Sequence, residues 1–375
     1  MKALTKHREL ITVIGVIILA LVVAVFNSTF ISPYNLTRIA NSAVLLILLA
    51  VGVTPVIITR NIDVSVGGTL VLSGILGAEL LVAGWSAPVV MLVIAALGTA
   101  FGILNGVLVV YGHVPSIVAT LGTMSIFRGV SFLITGGYSL ENIPTSYSTL
   151  GSRSLVGIPV LVIAAIVAVL VLWVFLAKTR TGRHVYATGG NAEGATLIGI
   201  RTNGIVILAF SISGLFAGLA AIVFIAQVGS ISNQAGNGME MSAIAASVIG
   251  GVALSGGVGS VVGALFGAVF ITTATSAMQF MGVPGFWSTA VIGAILLIAL
   301  FADAMVRRRA DRRKLEEKYR RVHSESTASD TVPAAGNPGT AEGHPPLKGA
   351  TGAATTAAAP EAQSSKTARD GAEVK

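Results

Sequence analysis

Residues 158–177 read IPVLVIAAIVAVLVLWVFLA, residues 178–204 read KTRTGRHVYATGGNAEGATLIGIRTNG, and residues 205–226 read IVILAFSISGLFAGLAAIVFIA. Neither outer run contains a charged residue. Each matches the roughly 20 helical residues that cross a hydrocarbon core about 30 Å thick. The polar run between them carries Lys178, Arg180, Arg183 and Arg201. Basic residues beside apolar spans mark the cytoplasmic side of a membrane, so this loop is read as cytoplasmic.

Working outward, the same measure finds about ten spans, centred near Leu19, Leu48, Leu76, Ala96, Ser125, Ala168, Leu215, Val248, Ala268 and Leu296. An even number puts both termini on one side. Lys2, Lys6 and Arg8 at the start, and RRRADRRKLEEKYRR at Arg307–Arg321, make that side cytoplasmic. Six spans precede the central loop and return it to the same side, which leaves Gly136–Gly157 outside. Trp85, Trp173 and Trp287 fall near span ends, where amphipathic rings suit the interface. The first span has a basic start and an apolar run, like a signal peptide. No small-x-small site follows Phe26 closely, so it is read as an uncleaved helix.

Composition agrees. Of 375 residues, 54% are hydrophobic and 11% charged, against about 25% charged in soluble domains. That excludes an ordinary soluble enzyme or secreted domain. With no cysteine there is no disulfide framework, thiolate metal site or Cys nucleophile. The expected fold is an all-α polytopic membrane protein. Residues 1–10 are a cytoplasmic N-terminus and 11–305 the transmembrane domain, with 178–204 as its cytoplasmic loop. Residues 306–321 are a basic cytoplasmic segment suited to anionic lipid. Residues 322–375, with no Phe, Trp or Tyr, form a disordered tail. The net charge of +8 sits in these membrane-flanking clusters and does not call for nucleic acid.

Gly98, Gly102 and Gly106 are spaced by four in the fourth span, and Gly259, Gly263 and Gly267 in the ninth. Small residues on one helix face allow close packing. Spans five apart would also be inverted relative to each other, so two five-helix inverted repeats are one reading. With 44 glycines in the chain, packing alone is the other.

Catalytic motifs are missing: no G-x-x-x-x-G-K-[ST], H-E-x-x-H or G-x-S-x-G occurs. Away from the termini the only histidines, His113 and His184, have no obvious partner. Ionisable residues near membrane depth are Arg60, Asp63, Glu79, Arg128, Glu240 and Asp303. Arg60 and Asp63, three apart, are expected to neutralise each other at the cytoplasmic end of the second span. Glu240 is expected at the outer mouth of the eighth span, Glu79 to snorkel, and Arg128 to face the bundle interior. So few charges suit the passage of a neutral polar solute better than a proton relay. In the central loop, Asn191 is placed to cap a short helix through Leu197, which Gly199 ends, with Gly189 and Gly190 in the turn before it. Such a helix across the cytoplasmic face is a knob that a partner could grip; an ordinary interhelical loop is the alternative.

G-R-x-x-Y-A-x-G-G-N-x-E-x-A, at Gly182–Ala195 with Gly194 where Ala, Glu or Gln is usual, resembles the coupling segment of ribose-type ABC importer permeases. Thr59–Gly74 (TRNIDVSVGGTLVLSG) is similar to that family's G-I-D-L-S-V-G stretch, with Arg60-Asn61 replacing a Gly pair. Met239–Gly259 (MEMSAIAASVIGGVALSGGVG) is similar to its E-x-x-A-I-A-A-x-x-I-G-G-x-x-x-x-G-G-x-G. Pro115–Arg128 and Asn105-Gly106 also match, and the resemblance runs from about Leu10 to Ala304. TRNIDVSVG and Asn233–Met241 look most like the autoinducer-2 and rhamnose-type branch. The resemblance implies a permease of a prokaryotic plasma membrane, paired with a second copy or a paralogue. It also implies a partner ATPase that binds ATP and Mg in place of this chain, and an extracytoplasmic sugar-binding protein. It assigns Arg183, Gly189, Gly190, Asn191, Glu193, Ala195, Leu197 and Gly199 to coupling. Asn61, Asp63, Ser65 and Glu240 belong to the two membrane motifs. Asn105, Ser125, Arg128 and Ser213 are candidates for the translocation route or its gating. The binding protein is expected to dock on Gly136–Gly157 and Val228–Glu240. A secondary transporter driven by an ion gradient is the alternative.

Overall fold

The computed structural model describes residues 2–301, except 156, 285, 286, 288, 289, 295, 296, 299 and 300. They fall in one compact unit, Met1–Arg313. The span centre Leu296, Asp303, the basic segment and the tail lie outside the described residues.

The helices are α1 (Lys2–Phe26), α2 (Pro33–Ile58), α3 (Val66–Val82), α4 (Ala87–Val110), α5 (Ser116–Thr135), α6 (Thr145–Ser152), α7 (Val160–Lys178), α8 (Arg180–Gly190), α9 (Ala192–Leu197), α10 (Thr202–Val228), α11 (Met239–Ile249) and α12 (Val261–Phe280). A two-stranded hairpin, Ser154–Leu155 with Ile158–Pro159, leads into α7. Among the described residues α2, α4, α5, α7, α10 and α12 are long and apolar enough to cross a membrane. Three shorter apolar helices, Thr12–Phe26 within α1, α3 and α11, hold three more of the expected centres. The chain is a multi-pass membrane protein. Its helices alternate in direction, so the N-terminal end of α1 shares a face with α8 and α9, called here the loop face.

Glycines set the closest crossings. α4 lies on α10, where Gly98 and Gly214 each leave room for the other's carbonyl, and Gly102 makes room for the carbonyl of Phe210. Gly263 and Gly267 of α12 do the same for Gly250 and Ala246 at the end of α11. Gly259 is not part of that helix face, as its spacing suggested. It precedes α12 and lies against Val252 and Ile58.

The packing partners repeat when the two halves are exchanged. α4 lies on α10 as α12 lies on α2; α3 lies on α10 as α11 lies on α2; and α3 meets α4 as α11 meets α12. The α2–α10 contact maps onto itself. This is the pattern that inverted repeats produce. The outermost helices do not follow it, since α1 lies on α12 while α7 lies on α2.

Both short inner helices begin inside the protein. Before α3, residues 59–65 leave the end of α2 and run back inward without helical structure. Before α11, residues 229–238 descend from the opposite face, with Ile231 and Leu140 exchanging backbone hydrogen bonds of 3.0 and 2.8 Å. Irregular backbone at membrane depth needs partners for every polar group. α5 supplies them to the first stretch. Ser116 Oγ accepts from Ile62 N at 3.2 Å and Thr120 Oγ1 from Val64 N at 3.2 Å. The match is geometric: two extended residues advance about 6.6 Å and four helical residues about 6 Å.

Candidate functional site

The loop face is built on two short helices. Thr179 caps α8 through Gly182 N, and Asn191 Oδ1 caps α9 by accepting from Gly194 N at 3.0 Å. Gly199 closes α9 with φ 85°, as its place after the helix requires. Ala195 is buried beneath α9, Arg183 and Glu193 are exposed, and Glu193 sits in the first turn, where a carboxylate is favoured. Leu197 and Ile198 are 88% and 76% exposed at its tip. Gly189 and Gly190 do not form the turn before α9. They are the last turn of α8, and Asn191 alone makes the bend. Gly189 is pressed on α2 so closely that a Cβ would fall on the Ile58 carbonyl, while Gly190 faces open space.

Arg60 and Asp63 do not neutralise each other. The helix ends at Thr59, and Arg60 takes a left-handed φ of 67°. This turns the Arg60 side chain toward α8 and sends Asp63 inward. Arg60 Nε donates to Gly189 O and Nη2 to Gly190 O, both at 2.6 Å. Asp63 is buried, with Oδ1 accepting from Ser65 N at 3.0 Å and Ser65 Oγ at 2.6 Å. Its Oδ2 accepts from Ser213 Oγ at 2.7 Å, near the middle of α10. Asn105 Nδ2 donates to Ser65 Oγ at 2.7 Å, and Thr123 Oγ1 to Asn105 Oδ1 at 2.7 Å. The carboxylate therefore lies just before the positive end of α3, in a network drawn from four segments. Asn61, on the rim, bonds back to Thr59 O at 3.1 Å.

Arg128 and Glu240 meet where α3 and α11 begin. Arg128 Nη2 lies 3.9 Å from Glu240 Oε2, with the side chains 21% and 9% exposed. Neither atom has a hydrogen-bond partner among the described residues. Arg128 Nη1 donates to Asn233 O at 3.2 Å, and Gly238 N to Glu240 Oε1 at 3.3 Å. Gly67 makes the space: a Cβ there would meet the Glu240 carboxylate and the Gly236 carbonyl. Glu240 is thus a buried, paired residue rather than one at an open mouth. Arg128 faces inward as its position required. Glu79 is exposed near the end of α3.

The expected route residues divide. Asn105 and Ser213 are buried in the Asp63 network and line no open passage here. Ser125 is exposed on α5, with its hydroxyl donating to Leu121 O at 3.0 Å. Sequence reasoning did not single out Thr123, Thr120 and Ser116 as site residues, although they stand at helical spacing within the Pro115–Arg128 stretch that carries part of the resemblance. It also missed Tyr186, whose hydroxyl donates to Gly259 O at 3.1 Å and ties α8 to the turn before α12.

Residues 35–300 match the model of a family described as branched-chain amino acid transport system / permease component. The autoinducer 2 import system permease protein LsrC of Salmonella paratyphi B is 41% identical over 327 residues, covering 87% of this chain and 94% of that protein. The proteins of the same name from Salmonella typhimurium and Escherichia coli K12 are 40% and 41% identical. They cover 88% and 86% of this chain, and 95% and 94% of their own lengths. No solved structure matches.

Proposed function

The chain belongs to this permease family, and on that premise we propose that it is the membrane subunit of an ATP-driven importer. In this reading it passes a small polyhydroxylated solute, a monosaccharide or autoinducer-2, from an extracytoplasmic binding protein to the cytoplasm of a prokaryote. The loop face and both termini are cytoplasmic. A partner ATPase, which holds ATP and Mg, grips α9. A second permease, identical or related, completes the passage.

The observation that carries the reading is α9 itself. A capped six-residue helix holds two large aliphatic side chains, Leu197 and Ile198, out into solvent beside an exposed Glu193. Apolar groups so exposed on a charged face suit a protein partner. The similarity to LsrC proteins supports the solute class. Gripping α9 would move α8, α7 and α10 and alternate the two openings.

The test is to purify the tagged chain gently from its native membrane, identify what accompanies it by mass spectrometry, and reconstitute the assembly in vesicles. An ATPase, a sugar-binding protein and uptake that requires ATP are expected. A bulky replacement, Glu193→Trp, is expected to lower solute moved per ATP hydrolysed. A chain that comes alone and moves solute on an ion gradient without ATP would refute the proposal and favour a secondary transporter.

A further inference from the structure

Arg60 stands between two parts of the molecule that no helix joins directly. On one side its guanidinium holds the carbonyls of Gly189 and Gly190, the final residues of α8. On the other, the next peptide begins the extended run 61–65, which carries Asp63 and Ser65 to the start of α3. Its φ of 67° is one that non-glycine residues adopt rarely. The side chain is held there by what it bonds. The last carbonyls of a helix lack intrahelical partners and carry partial negative charge, and a planar guanidinium can reach two of them at once.

The surroundings leave the joint little slack. Gly189 is pressed on the Ile58 carbonyl, and Gly256 lies against the Arg60 side chain. Gly257 N donates to Ile58 O at 2.8 Å. The run 61–65 has no helical ladder to stiffen it. It is held by Asn61 N, which donates to Val56 O at 3.1 Å, by the side chains of Ser116 and Thr120, and by Asp63, which bonds Ser65 and Ser213. A displacement of the α8 terminus therefore meets a close contact at Arg60 and, beyond it, a segment held by its hydrogen bonds to α2, α5 and α10 rather than by a helical ladder.

We infer that Arg60 is a positioning strut that carries movement of α8 and α9 into residues 61–65, and through them to the Asp63 network and the start of α3. This rests on the reading of α9 as the contact for an ATPase. A push on Leu197 and Ile198 tilts the end of α8, and Arg60 must follow or lose both hydrogen bonds.

The chain has no cysteine, so single introduced thiols report cleanly. Ala192→Cys, exposed on α9, and Ile62→Cys, half-buried in the extended run, are labelled with a maleimide in the full complex with its ATPase, with and without ATP and vanadate. Nucleotide is expected to change both labelling rates several-fold. In an Arg60→Gly background, which removes the strut and relaxes the backbone, the change at Ala192→Cys persists and that at Ile62→Cys disappears. An unaltered response at Ile62→Cys in that background overturns the inference. So does a parent chain in which only Ala192→Cys responds. If neither thiol responds in the parent complex, the ATPase contact itself is wrong and the strut falls with it. Should Arg60→Gly fail to assemble, Arg60→Lys decides. Lysine keeps the charge but cannot hold two carbonyls in one plane, so a response at Ile62→Cys as full as with Arg60 overturns the inference.

Discussion

Gly189 and Gly190 are neighbours in the last turn of one helix, and they should respond to the same substitution in opposite directions. A Cβ on Gly189 would fall on the Ile58 carbonyl and come within 2.7 Å of Gly257 N. Both are main-chain atoms and cannot rotate away. Restoring ordinary contact, about 3.5 Å between heavy atoms, requires α8 to back off α2 by more than about 1 Å. Overpacking of this kind costs about 1–3 kcal/mol. The shift would also stretch the two Arg60 hydrogen bonds, each worth about 1 kcal/mol. Gly189→Ala is therefore expected to destabilise by about 2–4 kcal/mol, partly offset by the up to ~1 kcal/mol that alanine gains over glycine in a helix. Gly190→Ala meets nothing within 4 Å and keeps only the gain. Solubilised protein is heated at one fixed rate, and the fraction remaining monodisperse is followed by size-exclusion chromatography. Gly189→Ala should lower the midpoint by about 3–12 °C, and Gly190→Ala should leave it level or raise it by up to about 3 °C. Equal midpoints for the two variants would refute the close approach of α8 to α2.

Three further outcomes follow from the same geometry. Asp63→Ala leaves three donors without an acceptor and should cost about 3–5 kcal/mol, whereas Asp63→Asn, which keeps one oxygen toward Ser65, should cost about 1–2 kcal/mol; thermal midpoints separate them. Arg128→Met alone strands the Glu240 carboxylate and should cost about 2–4 kcal/mol. Paired with Glu240→Gln it should cost less than the sum of the single changes, read from a double-mutant cycle in thermal stability. Leu197→Asp with Ile198→Asp should leave the thermal midpoint within about 1 °C, because both side chains are solvent-exposed, yet abolish co-purification of the ATPase.

Much of the architecture is legible because bilayer thickness and helical rise are fixed lengths. Nine of the expected span centres fall in apolar helices among the described residues. Capping is equally local, which is why Asn191 and Gly199 bound α9 where their chemistry placed them. Failures occur where an outcome depends on a distant residue. Three-residue spacing suggested an Arg60–Asp63 pair, but the helix had already ended and each side chain took a partner far along the chain. The spacing of Gly98, Gly102 and Gly106 marks a packing face without saying that α10 fills it. Glu240 looks like a mouth residue until the descent of 229–238 carries it beside Arg128 and Gly67.

By itself, then, the sequence determined a polytopic helical membrane protein, the bounds of α9 in the central loop and a family resemblance. All of these follow from transfer free energy, rise per residue, local capping and motif order, which act within a few turns of chain. Only the tertiary structure decided that α3 and α11 begin inside the protein, that Asp63 rests on Ser213 and Ser65, that Arg128 meets Glu240 across a glycine, and that Arg60 reaches the end of α8. The Asp63–Ser213, Arg128–Glu240 and Arg60–Gly189 contacts each join residues more than a hundred positions apart. They are set by which buried polar groups can satisfy one another once the apolar faces have closed, and periodicity along one helix carries no record of the partner.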